Sequence, residues 1–333
     1  MTIQEDTATL QGEIQSNAKR GGLKKIFAQI PKIYILILGK ILGTFLYHFD
    51  VYHRRTIRRN LQFSHPNWSR NQIQGLSKRI FRHFGIAILE IFQMACSTCE
   101  EMLNNVQIEG QEIFIEALAK QKGVIVISAH LGNWEVALQY CPCYLQMPLT
   151  GVAKKLRNSI LDRLVHKLRT RFGNKIIYKR GALPEMTQTL RNGEILGLLM
   201  DISRRFDGVE VQFFGRRATA TPAAALLAIR CKSPVVPIFC HRNRKGELVI
   251  RAERPVEIQR TGNLRSDLQT NTQLITDRVE RAVRKNPDQW NWLLKRWKEF
   301  YPDLYPESTK RLRRLKLKEK RKGSKKPKRS VQN

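Results

Sequence analysis

The sequence predicts an α/β fold, with a mixed sheet flanked by helices and a membrane-associated helical portion at the N-terminal side. From residue 106 onward, short β-branched segments alternate with helical ones, a pattern typical of a sheet covered by helices. Residues 23–105 instead repeat apolar side chains at helical spacing. Of the 333 residues, 42% are hydrophobic, which is enough for a substantial core and excludes a disordered chain.

The chain divides into a loose leader, one large domain and a basic tail. The leader covers residues 1–22 and the domain covers residues 23–305. Within that domain, residues 23–105 form the helical, membrane-associated portion and residues 106–305 form the α/β core. Residues 306–333 form the tail. Internal repeats and Gly/Ser linkers are absent from the sequence, so a second domain is not expected.

The segment KIYILILGKILGTFLYHF carries the membrane prediction. Its uncharged runs, Ile33–Gly39 and Ile41–Tyr47, have seven residues each and are separated by Lys40. A full span needs ~20 apolar residues, so a helix on or shallowly in the membrane surface is favoured. A tilted span over residues 26–49 and an ordinary core helix stay open. The membrane interpretation rests on flanking cations, namely Lys24, Lys25, Arg54, Arg55, Arg58 and Arg59.

The net charge of +32 predicts affinity for a polyanion. Residues Lys310–Arg329 contain thirteen Lys or Arg and one acid, Glu319, so +12 of this charge lies in the tail and +20 elsewhere. Charge alone does not distinguish nucleic acid, anionic lipid and an acidic protein as the partner. The tail is either a solvated end or a lipid- or nucleic-acid-contacting segment.

The cysteines are predicted to be reduced and mostly buried, in a cytosolic compartment. The pair in CSTC follows a helix-like segment, which is not the context of a redox motif. Cys141 and Cys143 lie too close together for the usual metal-ligand spacing. A metal site is therefore not expected. The six positions are 96, 99, 141, 143, 231 and 240.

Six segments of the core are predicted strands: GVIVISAH, LTGVAKK, NKIIYK, EILGLLMD, SPVVPIFC and ELVIRAE. Helices are predicted at Trp134–Tyr140, Ser159–Phe172, Leu183–Asn192 and Pro222–Lys232. The segment ITDRVERAVRKNPDQWNWLLKRWK is expected to close the core as a long helix with an aromatic, basic end.

The segment SAHLGNWE is the predicted chemical centre. His130 follows a buried strand, at the edge where open α/β sheets bind ligands, and Gly132 permits a tight turn before a helix. On one continuous helix, His130 and Glu135 would lie ~140° apart. Across a strand–turn–helix junction, however, the glutamate can fold back onto the imidazole.

A histidine held by a carboxylate acts as a general base. No nucleophile elbow of Gly-x-Ser-x-Gly type is present, and Ser128 is a weak candidate. The base would therefore activate a substrate hydroxyl directly, which describes acyl transfer to an alcohol. A purely structural histidine stays open at this point.

Three segments in order resemble the bacterial lipid A late acyltransferase family, relatives of the glycerolipid acyltransferases with a His-x4-Asp/Glu motif. They are SAHLGNWE, LLMDISRRFDGVEVQFFGRRATATPAA and NPDQWNWLLKRWK. Weaker agreement occurs in YHRRTIRRNLQFSHPNWS. The resemblance extends from about Leu23 to Lys298, and the ordered set is more specific than any one segment.

The resemblance implies that His130 is the general base and Glu135 its partner. It also implies a substrate-binding arginine at Arg169, with Arg171 as a rival position. Asp201 matches an acidic family position, but the family usually follows it with glutamine or histidine, and Ile202 stands here. The segment beside the acyl pocket is matched by Phe213, Phe214, Gly215, Ala218 and Thr219.

Each assignment has a structural alternative. Asp201 can cap a helix or pair with a nearby arginine, and Phe213 and Phe214 can belong to the core. Arg169 can lie on a solvated helix face. Three tryptophans interleaved with cations suit either base stacking or a membrane interface, and the family resemblance favours the interface. They are Trp290, Trp292 and Trp297.

The resemblance implies an O-acyltransferase on the cytoplasmic face of a bacterial inner membrane. The expected donor is a fatty acyl thioester on acyl carrier protein, and the expected acceptor is an anionic glycolipid, a lipid A precursor. Backbone amides near Gly132 or an arginine would stabilise the oxyanion, without a cofactor or metal. Acylation of another glycolipid or glycerolipid stays open, as does a non-enzymatic anionic-lipid or nucleic-acid binder. Nucleic acid is not the expected partner.

Overall fold

A computed structural model of the protein describes residues 22–307 apart from Asn105 and Phe206. Nearly all of the predicted leader and basic tail lies outside these residues, so both stay predictions. Within the described residues, five helices precede the first strand, as the helical spacing predicts. They are α1 (Gly22–Ala28), α2 (Lys32–Phe49), α3 (Val51–Ser64), α4 (Arg70–Cys96) and α5 (Cys99–Leu103).

Local capping sets the helix boundaries in this portion. Pro31 precedes α2, where its missing N–H removes no helical hydrogen bond. Asp50 accepts a hydrogen bond from the backbone N–H of His53 and begins α3. Ser69 and Gln72 form a capping box at the start of α4.

The α/β core alternates strands and helices after α5. The strands are β1 (Val106–Glu109), β2 (Val124–Ser128), β3 (Leu149–Ala153), β4 (Lys175–Tyr178), β5 (Ile195–Leu199), β6 (Val209–Phe213), β7 (Arg216–Ala220), β8 (Val235–Arg242) and β9 (Leu248–Ala252). The helices are α6 (Gln111–Ala119), α7 (Trp134–Leu145), α8 (Ser159–Arg169), α9 (Leu183–Arg191), α10 (Ala223–Cys231) and α11 (Leu264–Lys285).

The main sheet has seven strands in the order β1-β9-β8-β2-β5-β3-β4. Strands β8, β2, β5, β3 and β4 are parallel, β9 is antiparallel to β8, and β1 is parallel to β9. The fold is therefore α/β with a mixed sheet flanked by helices, as predicted. All six predicted strands are present. The edge where β2, β5, β3 and β4 end is called the carboxyl edge below.

Three features differ from the sequence prediction. Strand β1 and the antiparallel hairpin β6–β7 were not predicted. The last long helix ends at Lys285, because Pro287 disfavours helical backbone at the residue before it. Residues 286–301 form turns instead.

The core has one hydrophobic cluster on each face of the sheet. Alternate strand residues contribute to the two clusters, with Ile125 and Ile127 on one face and Val124 and Val126 on the other. The first cluster packs under α3, α4, α9, α10, α11 and the hairpin. The second packs under α6 and α7.

Helix α2 packs on α4 at very short range. A Cβ atom built on Gly85 would lie 2.1 Å from the backbone oxygen of Gly39, and one on Gly43 would lie 2.2 Å from the backbone oxygen of Phe81. Only glycine permits this approach. The opposite face of α2 exposes large apolar side chains, including Ile33, Ile41 and Phe49. Among the described residues, α2 alone is long and apolar enough to cross a membrane.

The prediction of six reduced cysteines is wrong for two of them. Cys99 and Cys143 form a disulfide, with a Cα–Cα distance of 5.2 Å. The ends of α5 and α7 bring these residues together, although 44 positions separate them in the chain. Cys141 and Cys240 are buried, and burial raises the pKa of both thiols to about 12. They are unreactive structural thiols.

Candidate active site

Two neighbouring parallel strands deliver a histidine and an aspartate to the same edge of the sheet. Strands β2 and β5 pair in register, with Ser128 opposite Leu199. His130 and Asp201 each follow two residues later. They therefore occupy equivalent positions beyond the carboxyl edge, where open α/β sheets bind ligands.

Asp201 is the carboxylate that holds His130. Its Oδ1 lies 2.8 Å from His130 Nδ1, and its Oδ2 accepts the backbone N–H of His130 at 2.8 Å. Trp290 Nε1 donates to the same Oδ2 at 2.8 Å. Asp201 is fully buried, so three donors replace its lost hydration. With Nδ1 bonded in this way, Nε2 is the ring nitrogen that remains able to accept a proton.

The prediction that Glu135 folds back onto the imidazole is wrong. Asn133 caps α7, so Glu135 lies in the first turn and is directed toward α8. Its carboxylate forms a bidentate pair with Arg169, whose Nε donates to Oε2 at 2.9 Å and whose Nη2 donates to Oε1. Trp134 Nε1 also donates to Glu135, at 3.0 Å. Arg169 is thus an ion-pair partner rather than a solvated residue.

The charges around His130 favour its protonated form. Burial alone lowers the pKa of His130, but the charge and hydrogen bond of Asp201, together with the charge of Glu135, raise it above the usual value despite Arg169. Burial likewise raises the pKa of Asp201, yet its bonds to His130 and Trp290 keep it lowered. Asp201 therefore stays ionised and stabilises the imidazolium that proton transfer forms.

Gly132 makes the turn after His130 possible. Its φ is +59°, and an added Cβ would lie 2.0 Å from the carbonyl oxygen of Cys240. Its backbone N–H donates to the carbonyl oxygen of Gln289 at 3.0 Å. The expectation that this amide stabilises an oxyanion is therefore wrong for Gly132. Arg169 remains the candidate, because a guanidinium has five N–H donors and its pair with Glu135 uses two.

A cavity of about 220 Å³ lies beside the Glu135–Arg169 pair. Apolar residues of α4, β4, α8 and the segment after β3 form most of its wall, and the ion pair lies at its polar side. This arrangement suits a ligand with an apolar chain and a polar group. The lining residues are Ile91, Glu135, Ala153, Lys154, Leu156, Asp162, Val165, His166, Leu168, Arg169, Ile176 and Tyr178.

Comparison with known proteins identifies a family that covers most of the chain. The family model described as "Bacterial lipid A biosynthesis acyltransferase" matches residues 21–299. The chain belongs to this family. It is 25% identical over 273 residues to "Lipid A biosynthesis acyltransferase" of Haemophilus influenzae, which covers 81% of this chain and 83% of that protein.

Two further relatives differ in the acceptor that their names give. "Lipid A biosynthesis myristoyltransferase" of Escherichia coli is 25% identical over 288 residues, or 83% of this chain and 87% of that protein. "Phosphatidylinositol mannoside acyltransferase" of Mycobacterium tuberculosis is 24% identical over 186 residues, or 54% of this chain and 56% of that protein. All are acyltransferases, and so is this protein.

In this acyltransferase, the predicted acyl-pocket segment forms the β6–β7 hairpin. Phe213 and Phe214 are buried in the core, and Gly215 forms the hairpin turn with φ +67°. Thr219 holds the segment after Asp201, because its Oγ1 accepts the backbone N–H of Arg204 at 3.0 Å. A substrate-binding role for these residues stays a prediction, and their observed contacts are structural. The alternative pairing of Asp201 with a nearby arginine is replaced by the bond to His130.

The C-terminal tryptophans of the acyltransferase are core residues. Trp290, Trp292 and Trp297 are all fully buried, so neither base stacking nor an interfacial position fits them. Trp290 instead holds Asp201 directly. Arg296 is also buried, which lowers its pKa to about 10. Its Nη1 donates to the carbonyl oxygen of Thr219 at 2.5 Å.

Arg171 contacts a backbone carbonyl group and an aromatic ring. Its Nη1 donates to the carbonyl oxygen of Met94 at 2.8 Å, and its guanidinium lies 4.9 Å from the Phe172 ring centroid. Arg169 is the arginine paired with Glu135, and a substrate-binding role for either arginine stays a prediction. Among the residues that the structure describes, no group of three His, Cys, Asp or Glu side chains is arranged to hold a metal.

A buried polar network, which the sequence does not predict, holds the turn after His130. Asn133 donates to Glu90 at 3.0 Å, and Glu90 pairs with both terminal nitrogens of Arg242 at 2.6 Å. His83 lies 3.1 Å from the carbonyl oxygen of Gly132. Burial lowers the pKa of His83 to about 4, so it is neutral at pH 7 and donates from Nε2. The sequence signal for this network is that His83 and Glu90 occupy positions of α4 where the helical spacing predicts buried apolar residues.

Proposed function

We propose that this acyltransferase moves a fatty acyl chain from a thioester, carried by acyl carrier protein, to a hydroxyl group of a lipid A precursor. The observation that supports the chemistry is His130 held by a buried aspartate at the carboxyl edge. The acceptor is supported by the family and by the names of two relatives. We place the reaction at the cytoplasmic face of a bacterial inner membrane.

The proposed reaction requires no enzyme nucleophile. His130 Nε2 removes the proton of the acceptor hydroxyl, and the oxygen attacks the thioester carbonyl carbon. The C–O bond forms, the C–S bond breaks, and the proton on Nε2 passes to the leaving thiolate. Asp201 stabilises the imidazolium. Arg169, oriented by Glu135, stabilises the oxyanion. The acyl thioester is a substrate, and the proposed reaction uses no cofactor or metal.

The charge and surface of the protein support both substrates. Acyl carrier protein is acidic and a lipid A precursor is anionic, and the chain carries a net charge of +32. The exposed apolar face of α2 supports attachment to the membrane in which the acceptor resides. A nucleic-acid partner loses support, because the three tryptophans proposed for base stacking are buried.

A second candidate acceptor is a mannosylated phosphatidylinositol. It is supported by the match of 186 residues to the mycobacterial relative. Ile202 stands where the lipid A family usually has glutamine or histidine, a departure that keeps another acceptor open. The chemistry at His130 would be unchanged, since only the acceptor differs.

The test is transfer of a labelled acyl group from acyl carrier protein to a purified lipid A precursor and, in parallel, to phosphatidylinositol mannoside. Native protein is compared with His130→Ala and with His53→Ala, an exposed histidine on α3. We expect a lipid A product that His130→Ala reduces by ~100-fold or more, while His53→Ala retains activity. Transfer to the mannoside alone would select the second acceptor. Equal activity of all three proteins would overturn His130 as the base.

A further inference from the structure

Helix α8 turns its apolar side chains toward solvent. Ile160, Leu161 and Leu164 are 70%, 48% and 64% exposed, and no residue of α8 is buried. These three side chains lie within one sector of about 100° around the helix axis. An amphipathic helix of a globular protein normally buries that stripe against the core. The exposed stripe of α8, defined by these residues, therefore requires an apolar partner.

Cations border this stripe. Lys154, Lys155, Arg157, Arg163 and Lys167 are exposed in residues 154–167, which contain one acid, Asp162. Arg163 and Lys167 lie one helical turn apart beside the apolar sector. Long basic side chains in this position reach the headgroups while the apolar side chains enter the lipid. The combination is complementary to an anionic lipid surface.

The stripe lies at the carboxyl edge, on the other side of His130 from α2. Leu36 of α2 packs against Gly246 in the turn between β8 and β9. Helix α8 connects β3 to β4, and β2 lies between these two positions in the strand order. With neighbouring strands ~4.8 Å apart, the β8–β9 turn and the β3–β4 connection are separated by about 20 Å along the sheet. The active site therefore lies between them.

Apolar surface also connects the stripe with the N-terminal helices. Leu156 and Leu168 line the cavity together with Ile91 of α4. Helix α4 also exposes Ile88 and Phe92, three residues before and one residue after Ile91, at 38% and 62%. Isolated exposed apolar residues need no explanation, but a surface that continues past an active site marks an interaction region.

We propose that the α8 stripe is a second bilayer contact, which together with α2 positions the active site against an anionic membrane surface. The acceptor hydroxyl then reaches His130 without the lipid leaving the interface. The contact is separate from the acyl-transfer chemistry, so a failure of the proposed function leaves it testable.

The experiment uses the full chain with vesicles of equal parts phosphatidylglycerol and phosphatidylcholine, with or without brominated acyl chains. Bromine quenches tryptophan that enters the lipid. Leu164→Trp is compared with Ile115→Trp and with the native protein, whose five tryptophans give the background. Ile115 is a matched control, since it is 51% exposed on α6. Strand β1 runs antiparallel to β2, so α6 begins at the opposite edge of the sheet.

We expect brominated lipid to quench the added tryptophan at position 164 and to leave the one at position 115 unaffected. Equal quenching of the tryptophans at positions 164 and 115 would overturn the proposal. So would an absence of quenching at position 164, whether the protein binds the vesicles or does not bind them. Shielding of position 164 by acidic acyl carrier protein, without quenching by lipid, would assign the stripe to a protein partner and overturn it as well.

A functional arm uses Ile160→Asp combined with Leu164→Asp. Neither residue lines the cavity. For an acceptor embedded in the vesicles, KM should rise at least ~10-fold, as loss of two apolar contacts predicts. With the acceptor dispersed in detergent, kcat should be unchanged. An unchanged KM in vesicles would contradict a bilayer contact at α8.

Discussion

Replacing Asp201 with asparagine preserves the shape of the side chain, but the acceptor oxygen that faces His130 Nδ1 becomes an N–H donor. The carboxylate accepts three bonds, two of them on Oδ2 from Trp290 and the backbone N–H of His130. An amide oxygen can take the place of Oδ2, and the amide N–H then faces Nδ1 of His130. Nδ1 must become the acceptor, so the proton of the neutral imidazole lies on Nε2.

An imidazole with its proton on Nε2 cannot accept the proton of the acceptor hydroxyl. We expect kcat of Asp201→Asn to fall by ~10³- to 10⁴-fold, which is ~4 to 5.5 kcal/mol of activation free energy. KM should change little, because Asp201 is buried and does not face the substrate. Loss of one charged hydrogen bond should lower the free energy of unfolding by ~1.5 to 3 kcal/mol.

The assay measures kcat and KM separately with labelled acyl carrier protein, and Tm in the same preparations. Asp267→Asn is the matched control, because Asp267 is also buried and bonded to backbone and side-chain donors, but of Thr261. The control should lose stability and keep kcat. A folded Asp201→Asn protein with kcat within ~10-fold of native would refute the tautomer argument.

The remaining predictions concern charge, a buried pair and helix packing. The proposed base requires a neutral His130 imidazole, so activity should fall as the pH drops through the pKa of His130. Arg169 lowers that pKa. Arg169→Gln should therefore raise it and shift the acid limb of the kcat/KM profile to higher pH. Glu90→Gln should cost ~3–5 kcal/mol in urea unfolding by stranding Arg242, and replacing both residues with leucine should recover most of it. Gly85→Ala should cost ~1–3 kcal/mol, because its Cβ would lie 2.1 Å from a backbone oxygen of α2, whereas Gly75→Ala, with nothing within 4 Å, should stabilise α4 by ~0.5–1 kcal/mol. An equal response of the two glycines would contradict the close helix contact.

Local pattern was sufficient for the main sheet and for His130. The six predicted strands are buried β-branched runs bounded by turns, and their periodicity reports burial directly. Strand β1 reads VQIE with alternating exposure, which is too short and too polar to stand out. The family resemblance assigns the residues of the β6–β7 hairpin to the segment beside the acyl pocket. Their alternating burial, which indicates strands, does not enter that assignment.

The pairing of His130 with Asp201 required knowledge that sequence order does not contain. The two residues are 71 positions apart, whereas Glu135 is close in sequence and was assigned as the partner. Strand order decides the matter, since β5 lies beside β2 and both end at the same edge. Two polar residues that each follow a buried parallel strand were the available signal, and they identify a pair only when the strands are neighbours.

Helix α4 explains why polar residues are buried between the N-terminal helices and the α/β core. Gly85 sits at the contact with α2, and His83 and Glu90 of the same helix hold the turn at Gly132 and Asn133. Burying the Glu90–Arg242 pair costs desolvation free energy that an apolar pair would not. The return is positional, because hydrogen bonds fix the turn relative to α4 with a directionality that apolar contacts lack. Helix α4, on which α2 packs, thereby also sets the position of His130, so the proposed membrane attachment and the alignment of the proposed base depend on one rigid element.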